Sequence, residues 1–203
     1  MMRDDHLLES IRCEDGHFPL LRYHQQRVQR AFGRLWPDKP VPELEQHLQC
    51  FDVPASGLYK CRIVYGTKLR KPVYHPYAIH LPATLKCVIC DDIDYTLKWS
   101  DRQKLNALYN QKAGCDDVLI VKNGLITDTS YCNIAFLRDG LWYTPAKPLL
   151  EGVRRASLLD EGMINPLDIL MTDLAIFTHF KVFNAMIGWD DCPPLPVSAI
   201  SLP

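Results

Sequence analysis

The chain has 203 residues, of which 47% are hydrophobic and 23% charged, and its formal net charge is -1. This balance is typical of a globular protein and gives no sign of a basic surface for nucleic acid or for a membrane. No stretch approaches the roughly 20 apolar residues of a membrane span, and the acidic N-terminus has no apolar segment behind it that would make a signal peptide. We therefore expect a cytoplasmic protein that handles a small molecule.

Eight cysteines in a chain of this length are too few for a disulfide scaffold, so reduced thiols are expected. Cys87 and Cys90 have the CxxC spacing of a zinc or redox site. They lie, however, in an apolar run that is typical of a strand, where positions three apart point to opposite faces. Because no second CxxC completes a zinc site, the sequence predicts free thiols and no metal.

Three segments combine an apolar run, a tight-turn dipeptide and a second apolar run, which predicts a β-hairpin at each place. The turn dipeptides are Asp15-Gly16, Asn123-Gly124 and Asp139-Gly140. Helical spacing of apolar residues predicts helices over 23–36, after Ser100 and from Gly152. Further strands are predicted over 59–65, 73–81 and 85–90.

The predicted fold class is α+β with antiparallel hairpins, and the sequence has no βαβ phosphate fingerprint. Prolines punctuate the middle of the chain, and the segment from His80 to Ala83 is the best candidate for a domain junction. We therefore predict an N-terminal α+β domain of residues 1–82 and a C-terminal α+β domain of residues 83–203.

Lys98 is the first candidate for chemistry, because it follows a predicted strand and is flanked by Leu97 and Trp99. Desolvation by such neighbours disfavours an ammonium ion, lowers its pKa and leaves an amine that can form an imine. The alternative is a lysine whose charged end reaches solvent.

Gly152 opens a predicted helix whose first turn carries Arg154 and Arg155. Glycine allows a ligand to approach the backbone, and the unpaired N–H groups of a first turn favour an anion. Two arginines there oppose the helix dipole unless negative charge is near. The pattern is compatible with a phosphate site, and equally with arginines on an exposed turn.

Two further charged residues are ambiguous on their own. Asp128 stands between Thr127 and Thr129 after a predicted hairpin, where a carboxylate usually caps a turn. Arg27 is next to Val28 and could point inward, which would require an anionic partner, or it could be a surface arginine.

Taken in order, these segments resemble the class IV aminotransferases, which include branched-chain and D-amino-acid aminotransferases and 4-amino-4-deoxychorismate lyase. The resemblance extends from about Leu8 to Trp189. The segments that carry it are Glu9-Ser10-Ile11-Arg12 with Asp15-Gly16, Leu21 through His24 to Arg27, Lys98 with Arg102, Asn123-Gly124 through Asp128 to Asn133, Thr144-Pro145 with Leu150 through Gly152 to Arg155, and Asn184-Ala185 through Gly188.

The resemblance implies two small α/β sub-domains of the D-amino-acid aminotransferase-like type (PLP fold type IV) and pyridoxal 5′-phosphate (PLP) as cofactor. It implies that Lys98, in the C-terminal domain, forms the internal aldimine and acts as general base. It further implies that Asp128, where the family usually has Glu, contacts the pyridine nitrogen. The other implied cofactor-binding residues are Arg27, Gly152, Val153 and Arg154 at the phosphate, together with Asn184 and Ala185.

The resemblance implies a PLP-dependent class IV aminotransferase that acts on an amino acid, with 4-amino-4-deoxychorismate lyase as the alternative. Transamination of an amino acid and β-elimination from 4-amino-4-deoxychorismate, giving p-aminobenzoate and pyruvate, use the same lysine and cofactor. A non-catalytic family member and an unrelated α+β binding module are alternatives of other classes. Arg62, on a predicted strand face with Lys60, is a candidate for a substrate carboxylate, although that face could simply be solvated. The resemblance also implies a homodimer.

Overall fold

The computed structural model describes residues 6–203. By its internal contacts the chain divides into two units, of which the first comprises residues up to Ile79 together with Leu97–Asp101. The second comprises His80–Thr96 and Arg102–Pro203. Every helix within residues 6–203 is too short or too polar to cross a lipid bilayer.

The first unit is a three-stranded antiparallel sheet with two helices. Its strands, in spatial order, are β1 (Leu7–Glu14), β2 (Leu58–Tyr65) and β3 (Val73–Pro76), and its helices are α1 (Leu21–Leu35) and α2 (Leu44–Gln49). Alternate residues of β1 are buried and share a core with one stripe of α1, as the period-2 and period-3.6 patterns require. This core includes Ile11, Cys61, Val28 and Phe32.

The segment Leu97–Asp101 belongs to this first unit because its backbone pairs with β1. The Leu8 N–H donates to the Lys98 carbonyl at 2.9 Å, and Trp99 forms an antiparallel bridge with Leu7. The structure thus assigns Lys98 to the first unit, whereas the sequence placed it in the C-terminal domain of residues 83–203. The pairing joins positions about 90 residues apart, which local patterns cannot reveal.

The second unit contains two sheets. The first has the order β12 (Ile200–Ser201), β4 (Leu85–Ile89), β5 (Asp117–Lys122) and β6 (Leu125–Thr129), with β4 parallel to β12 and β5. The other has the order β11 (Leu195–Pro196), β10 (His179–Phe183), β7 (Asn133–Arg138), β8 (Leu141–Pro145) and β9 (Asn165–Leu167). Its helices are α3 (Gln103–Tyr109) and α4 (Val153–Asp160), with short 3₁₀ helices at Met171–Ile176 and Val197–Ala199.

Two of the three predicted hairpins are confirmed, namely β5–β6 and β7–β8. Asn123 and Asp139 have φ angles of 51° and 52°, as the favoured two-residue turns require. The first predicted hairpin is wrong: after the turn at Asp15 only one bridge, Glu14 to His17, forms, and β1 pairs instead with β2. The strand predicted over 73–81 ends at Pro76, where proline cannot continue the ladder.

Candidate active site

In the first unit, three charged or polar side chains form a buried cluster. Helix α1 places His24 and Arg27 three residues apart, so both face Glu9 on β1. Arg27 Nε donates to Glu9 Oε1 at 2.9 Å and its Nη2 donates to Oε2, which makes the pair bidentate. His24 Nδ1 lies 2.5 Å from the same Oε2. Glu9 and His24 are fully buried and Arg27 is 8% exposed, so the cluster is isolated from solvent.

The cluster fixes the charge of each member. Burial raises the pKa of Glu9, but the charge and hydrogen bonds of Arg27, with a hydrogen bond from His24, outweigh burial and lower it to about 2. Burial lowers the pKa of His24, the contact with Glu9 opposes this effect, and the charges of Arg27 and Lys98 add to it. His24 is therefore neutral at pH 7 and donates through Nδ1–H, so its Nε2 is a buried acceptor with no hydrogen-bond partner among the described residues.

The cluster qualifies the predicted role of Arg27. Two of its three guanidinium nitrogens bind Glu9, so binding of the cofactor phosphate by Arg27 stays a prediction. Lys98 lies close enough to His24 for its charge to act on the imidazole, as the charge of Arg27 also does. Sequence reasoning missed Glu9 and His24 as members. Glu9 could have been found from the sequence, because it shares a strand face with Leu7 and Ile11, and a carboxylate that faces the core requires a partner.

Arg62 lies on the face of β2 opposite the core and is exposed. Lys60 shares that face, and its ammonium lies 5.6 Å from the centre of the Tyr77 ring. The alternation predicted for these two residues is confirmed, whereas a contact of Arg62 with substrate stays a prediction.

In the second unit, Asp128 is buried at the end of β6 and is held through both carboxylate oxygens. The Asn133 amide donates to Oδ1 at 2.8 Å, and the Leu150 N–H donates to Oδ2 at 2.9 Å. The same Asn133 nitrogen donates to the Leu150 carbonyl at 2.9 Å. Asn133 thereby links Asp128, which is predicted to contact the ring nitrogen, to the turn before α4, whose start is predicted to bind the phosphate.

The environment of Asp128 brings its pKa close to neutral pH. Burial raises its pKa to about 6, and the hydrogen bonds from Leu150 and Asn133, with the charge of Arg155, oppose that rise. The carboxylate is thus ionised at pH 7 although it is only 5% exposed. A buried anion with unused lone pairs is suited to accept a hydrogen bond from a protonated ring nitrogen.

Gly152 is the N-cap of α4, and the space beside it is filled by Asn133. A Cβ atom at position 152 would lie 1.9 Å from Asn133 Oδ1, so only glycine fits without a shift of that side chain. The first turn, which begins at Val153, has no acidic residue and no side-chain cap. The N-terminus of α4 is therefore electropositive.

The two arginines of this turn have different surroundings. Arg155 is buried, and its Nη2 donates to the Pro145 carbonyl at 2.8 Å. Its Nε is buried and has no hydrogen-bond partner among the described residues. The Nη2 of Arg154 would lie 3.9 Å from a Cβ at Gly188, so it is near the loop that follows β10.

Asn184 organises that loop. Its Oδ1 accepts the N–H groups of Met186 and Ile187 at 2.8 and 3.0 Å, and its Nδ2 donates to the Tyr131 carbonyl at 3.3 Å. Asn184 and Ala185 therefore belong to the same unit as Asp128 and Gly152. Their contact with the cofactor stays a prediction.

The cysteines show no metal-ligand geometry. Cys87 and Cys90 are free thiols, and the Cys90 thiol donates to Asp92 at 3.2 Å. Within the described part of the chain, no three His, Cys, Asp or Glu side chains are grouped as metal ligands would be.

Comparison with known proteins identifies the family. Residues 99–192 match the sequence model described as amino-transferase class IV. An uncharacterized protein of Haemophilus influenzae is 36% identical over 185 residues, which cover 90% of this chain and 98% of the relative. A crystal structure of a candidate 4-amino-4-deoxychorismate lyase from Haemophilus somnus is 37% identical, with a TM-score of 0.84 and coverage of 93% of this chain and 100% of that one. The chain belongs to the class IV aminotransferase family.

More distant matches extend the comparison. A Schizosaccharomyces pombe protein named as a candidate aminodeoxychorismate lyase is 28% identical over 81% of this chain and 77% of its own length. The crystal structure of 4-amino-4-deoxychorismate lyase from Pseudomonas aeruginosa is 20% identical, covers 98% of this chain and 83% of that one, and has a TM-score of 0.75. At that identity the likeness shows the fold alone. The predicted fold class, α+β of the fold type IV kind, is confirmed.

The residues of this class IV family member fit the cofactor that the family uses. PLP has a dianionic phosphate, a basic ring nitrogen and an aldehyde. The described residues supply an electropositive helix start with the orphaned Arg155 Nε, a buried ionised acid at Asp128 and an amine at Lys98. Each chemical group of the cofactor thus has a residue of matching chemistry.

Proposed function

We propose that the protein is a PLP-dependent enzyme whose reaction is β-elimination from 4-amino-4-deoxychorismate, releasing p-aminobenzoate and pyruvate. The observation that carries the assignment to a PLP-dependent enzyme is the Asn133 amide, which joins Asp128 to the turn before Gly152 in one hydrogen-bonded arrangement. The specific reaction is supported by the similarity to the candidate lyases of Haemophilus somnus and Schizosaccharomyces pombe.

In this proposal the cofactor supplies an electron sink, and the protein supplies binding, orientation and proton transfer. The start of α4, from Gly152 to Arg154, would hold the phosphate through backbone N–H groups and positive charge. Asp128, ionised above a pKa of about 6, would accept a hydrogen bond from the ring nitrogen and keep it protonated. It performs the role of the family's usual glutamate with a side chain one methylene shorter.

Lys98 would hold the cofactor through its amine, and it would be able to move a proton once the substrate amine has taken its place. In the elimination, its amine removes the proton from the carbon that bears the substrate amino group. The bond between the ring and the enolpyruvyl oxygen then breaks, the ring becomes aromatic, and the released enolpyruvate takes up a proton to give pyruvate. Arg62, exposed on β2, is our candidate for binding a substrate carboxylate, and we propose that the enzyme is a homodimer.

A coupled assay tests the reaction. Incubation with 4-amino-4-deoxychorismate and PLP, without any keto acid, should release pyruvate and p-aminobenzoate in equal amounts, and Lys98→Ala should abolish release. Lys104→Gln, an exposed lysine paired with Asp92, serves as the matched control and should retain activity. If protein that has bound PLP releases no pyruvate, the proposed lyase reaction is wrong.

Transamination is the second candidate, because residues 99–192 match the class IV aminotransferase family as a whole. It predicts product only when a keto acid is added as amino acceptor. A protein that binds PLP but turns over neither substrate would instead be a non-catalytic member of the family.

A further inference from the structure

The loop that follows Asp128 is closed at its base by two hydrogen bonds, and side chains from elsewhere in the second unit contact its tip. It connects β6 to β7 through residues 130–132. The Thr129 N–H donates to the Cys132 carbonyl at 2.9 Å, and the Cys132 N–H donates to the Thr129 hydroxyl at 3.0 Å. The carbonyls of Ser130 and Tyr131, at the tip, accept hydrogen bonds from side chains elsewhere in the second unit.

Arg102 makes the shorter of these two external contacts. Its Nη2 donates to the Ser130 carbonyl at 2.7 Å, whereas the Asn184 amide reaches the Tyr131 carbonyl at 3.3 Å. The guanidinium carbon of Arg102 also lies 4.3 Å from the centre of the Tyr131 ring. One side chain therefore holds the loop tip through both a charge-assisted hydrogen bond and a cation–π contact.

Arg102 is itself fixed in place. Its carbonyl accepts the Asn106 N–H at 2.8 Å at the start of α3, and its Nη1 lies 3.4 Å from the Tyr95 hydroxyl. Its Nε and the Ser130 hydroxyl are both buried without a hydrogen-bond partner among the described residues. The guanidinium of Arg102 is thus held through its two Nη groups and not through Nε.

We propose that Arg102 is a positioning residue, which clamps the tip of the 130–132 loop and so sets the placement of the Asp128 carboxylate. The inference rests on the proposed function, in which Asp128 contacts the cofactor ring. The loop connects Asp128 directly to one of its hydrogen-bond donors, because Asp128 precedes the loop and Asn133, which donates to Asp128, follows it. Lysine cannot replace Arg102, because an ammonium lacks the planar fork that bonds one group while stacking on another.

Two variants test the clamp. Arg102→Lys keeps the charge but loses the fork, and Tyr131→Leu removes the stacking ring from a side chain that is 60% exposed, so it leaves the core intact. Lys104→Gln, which removes a surface contact with Asp92 from the same helix, is the control. Amide hydrogen exchange is measured by NMR on the cofactor-free protein, with the amides of Cys132 and Leu150 as probes.

We expect both probe amides to exchange about tenfold faster in Arg102→Lys and in Tyr131→Leu, with no change in Lys104→Gln. The Asp128 carboxyl, followed by ¹³C NMR, should titrate at lower pH in both variants, because a loosened loop admits water while its charged neighbour Arg155 is unchanged. If Arg102→Lys does not fold, Tyr131→Leu alone decides.

Exchange and titration that match the wild type in these variants would overturn the clamp. The proposed function is judged separately, by whether the wild-type protein binds PLP. If the wild-type protein does not bind PLP, the exchange measurement still tests the clamp, since it is made on cofactor-free protein.

Discussion

Glu9 provides the sharpest quantitative test of the first unit. Glutamine is close in shape to protonated glutamate, so Glu9→Gln mimics loss of the carboxylate charge while Arg27 stays buried. The pKa of Glu9 is lowered from 4.5 to about 2, a difference of about 2.5. At about 1.36 kcal/mol for each pKa unit, the charged form stabilises the fold by about 3 kcal/mol at pH 7.

The pH dependence of this stabilisation has a definite sign. Because folding depresses the pKa, the contribution is complete above about pH 4.5 and is lost as the pH falls towards 2. The difference in unfolding free energy between wild type and Glu9→Gln should therefore be about 3 kcal/mol at pH 7 and should shrink below pH 4.5. Urea unfolding followed by far-UV circular dichroism measures it, and hydrogen exchange in the β1–β2 ladder assigns the effect to the first unit.

Glu14→Gln is the matched control. Glu14 ends the same strand and pairs with Arg12 at 3.0 Å, but its side chain is 44% exposed. A surface pair of this kind contributes less than about 1 kcal/mol. A Glu9→Gln effect as small as that of Glu14→Gln, or one that does not change with pH, would refute the reasoning about the buried cluster.

The second unit should respond to pH in the opposite direction, because burial raises the pKa of Asp128 to about 6. The unfolding free energy should therefore rise by about 3 kcal/mol as the pH falls from about 6 to 4. Asp128→Asn should remove that gain in cofactor-free protein. The same variant should lower turnover at least tenfold while leaving the secondary structure intact, as circular dichroism would show. Gly152→Ala should destabilise the protein by about 1–3 kcal/mol and weaken PLP binding, measured by absorbance titration, because its Cβ would lie 1.9 Å from Asn133 Oδ1. Gly33→Ala, in α1 with nothing within 4 Å of the new Cβ, should instead raise the unfolding free energy by up to about 1 kcal/mol. Equal effects from the two glycine changes, or a pH profile unaltered by Asp128→Asn, would contradict these expectations.

The parts of the fold that the sequence predicts are those with local causes. The Asn123-Gly124 and Asp139-Gly140 turns form as expected because only a few residue types accept their positive φ angles. Helix α1 follows from the helical spacing of Val28 and Ala31, among others. Gly152 caps α4, as the change of composition at that point predicts.

Local sequence patterns do not predict contacts between segments that are far apart in the sequence. Nothing near Lys98 indicates that its carbonyl accepts a hydrogen bond from Leu8. The turn at Asp15 is real, but the partner of β1 is decided by the length of the ladder that β2 offers, from Leu7 opposite Tyr65 to Glu14 opposite Leu58. A turn dipeptide therefore predicts where the chain reverses, but it does not predict which strand pairs with β1.

The candidate site divides in the same way. Ordered motifs pointed to Asp128, Gly152 and Lys98, but they did not show that Asn133 bonds both Asp128 and Leu150. They also did not show that Arg27 is engaged by Glu9. Both facts depend on side-chain directions that only three-dimensional packing determines.

Borohydride reduction of the protein mixed with PLP tests the central claim most directly. Reduction fixes the cofactor to the amine that holds it, and peptide mass mapping locates that amine. We predict one reduced pyridoxyl phosphate group for each chain, attached to Lys98 and absent in Lys98→Ala. Attachment to another lysine in the wild-type protein, or no attachment at PLP concentrations that label known family members, would contradict the account.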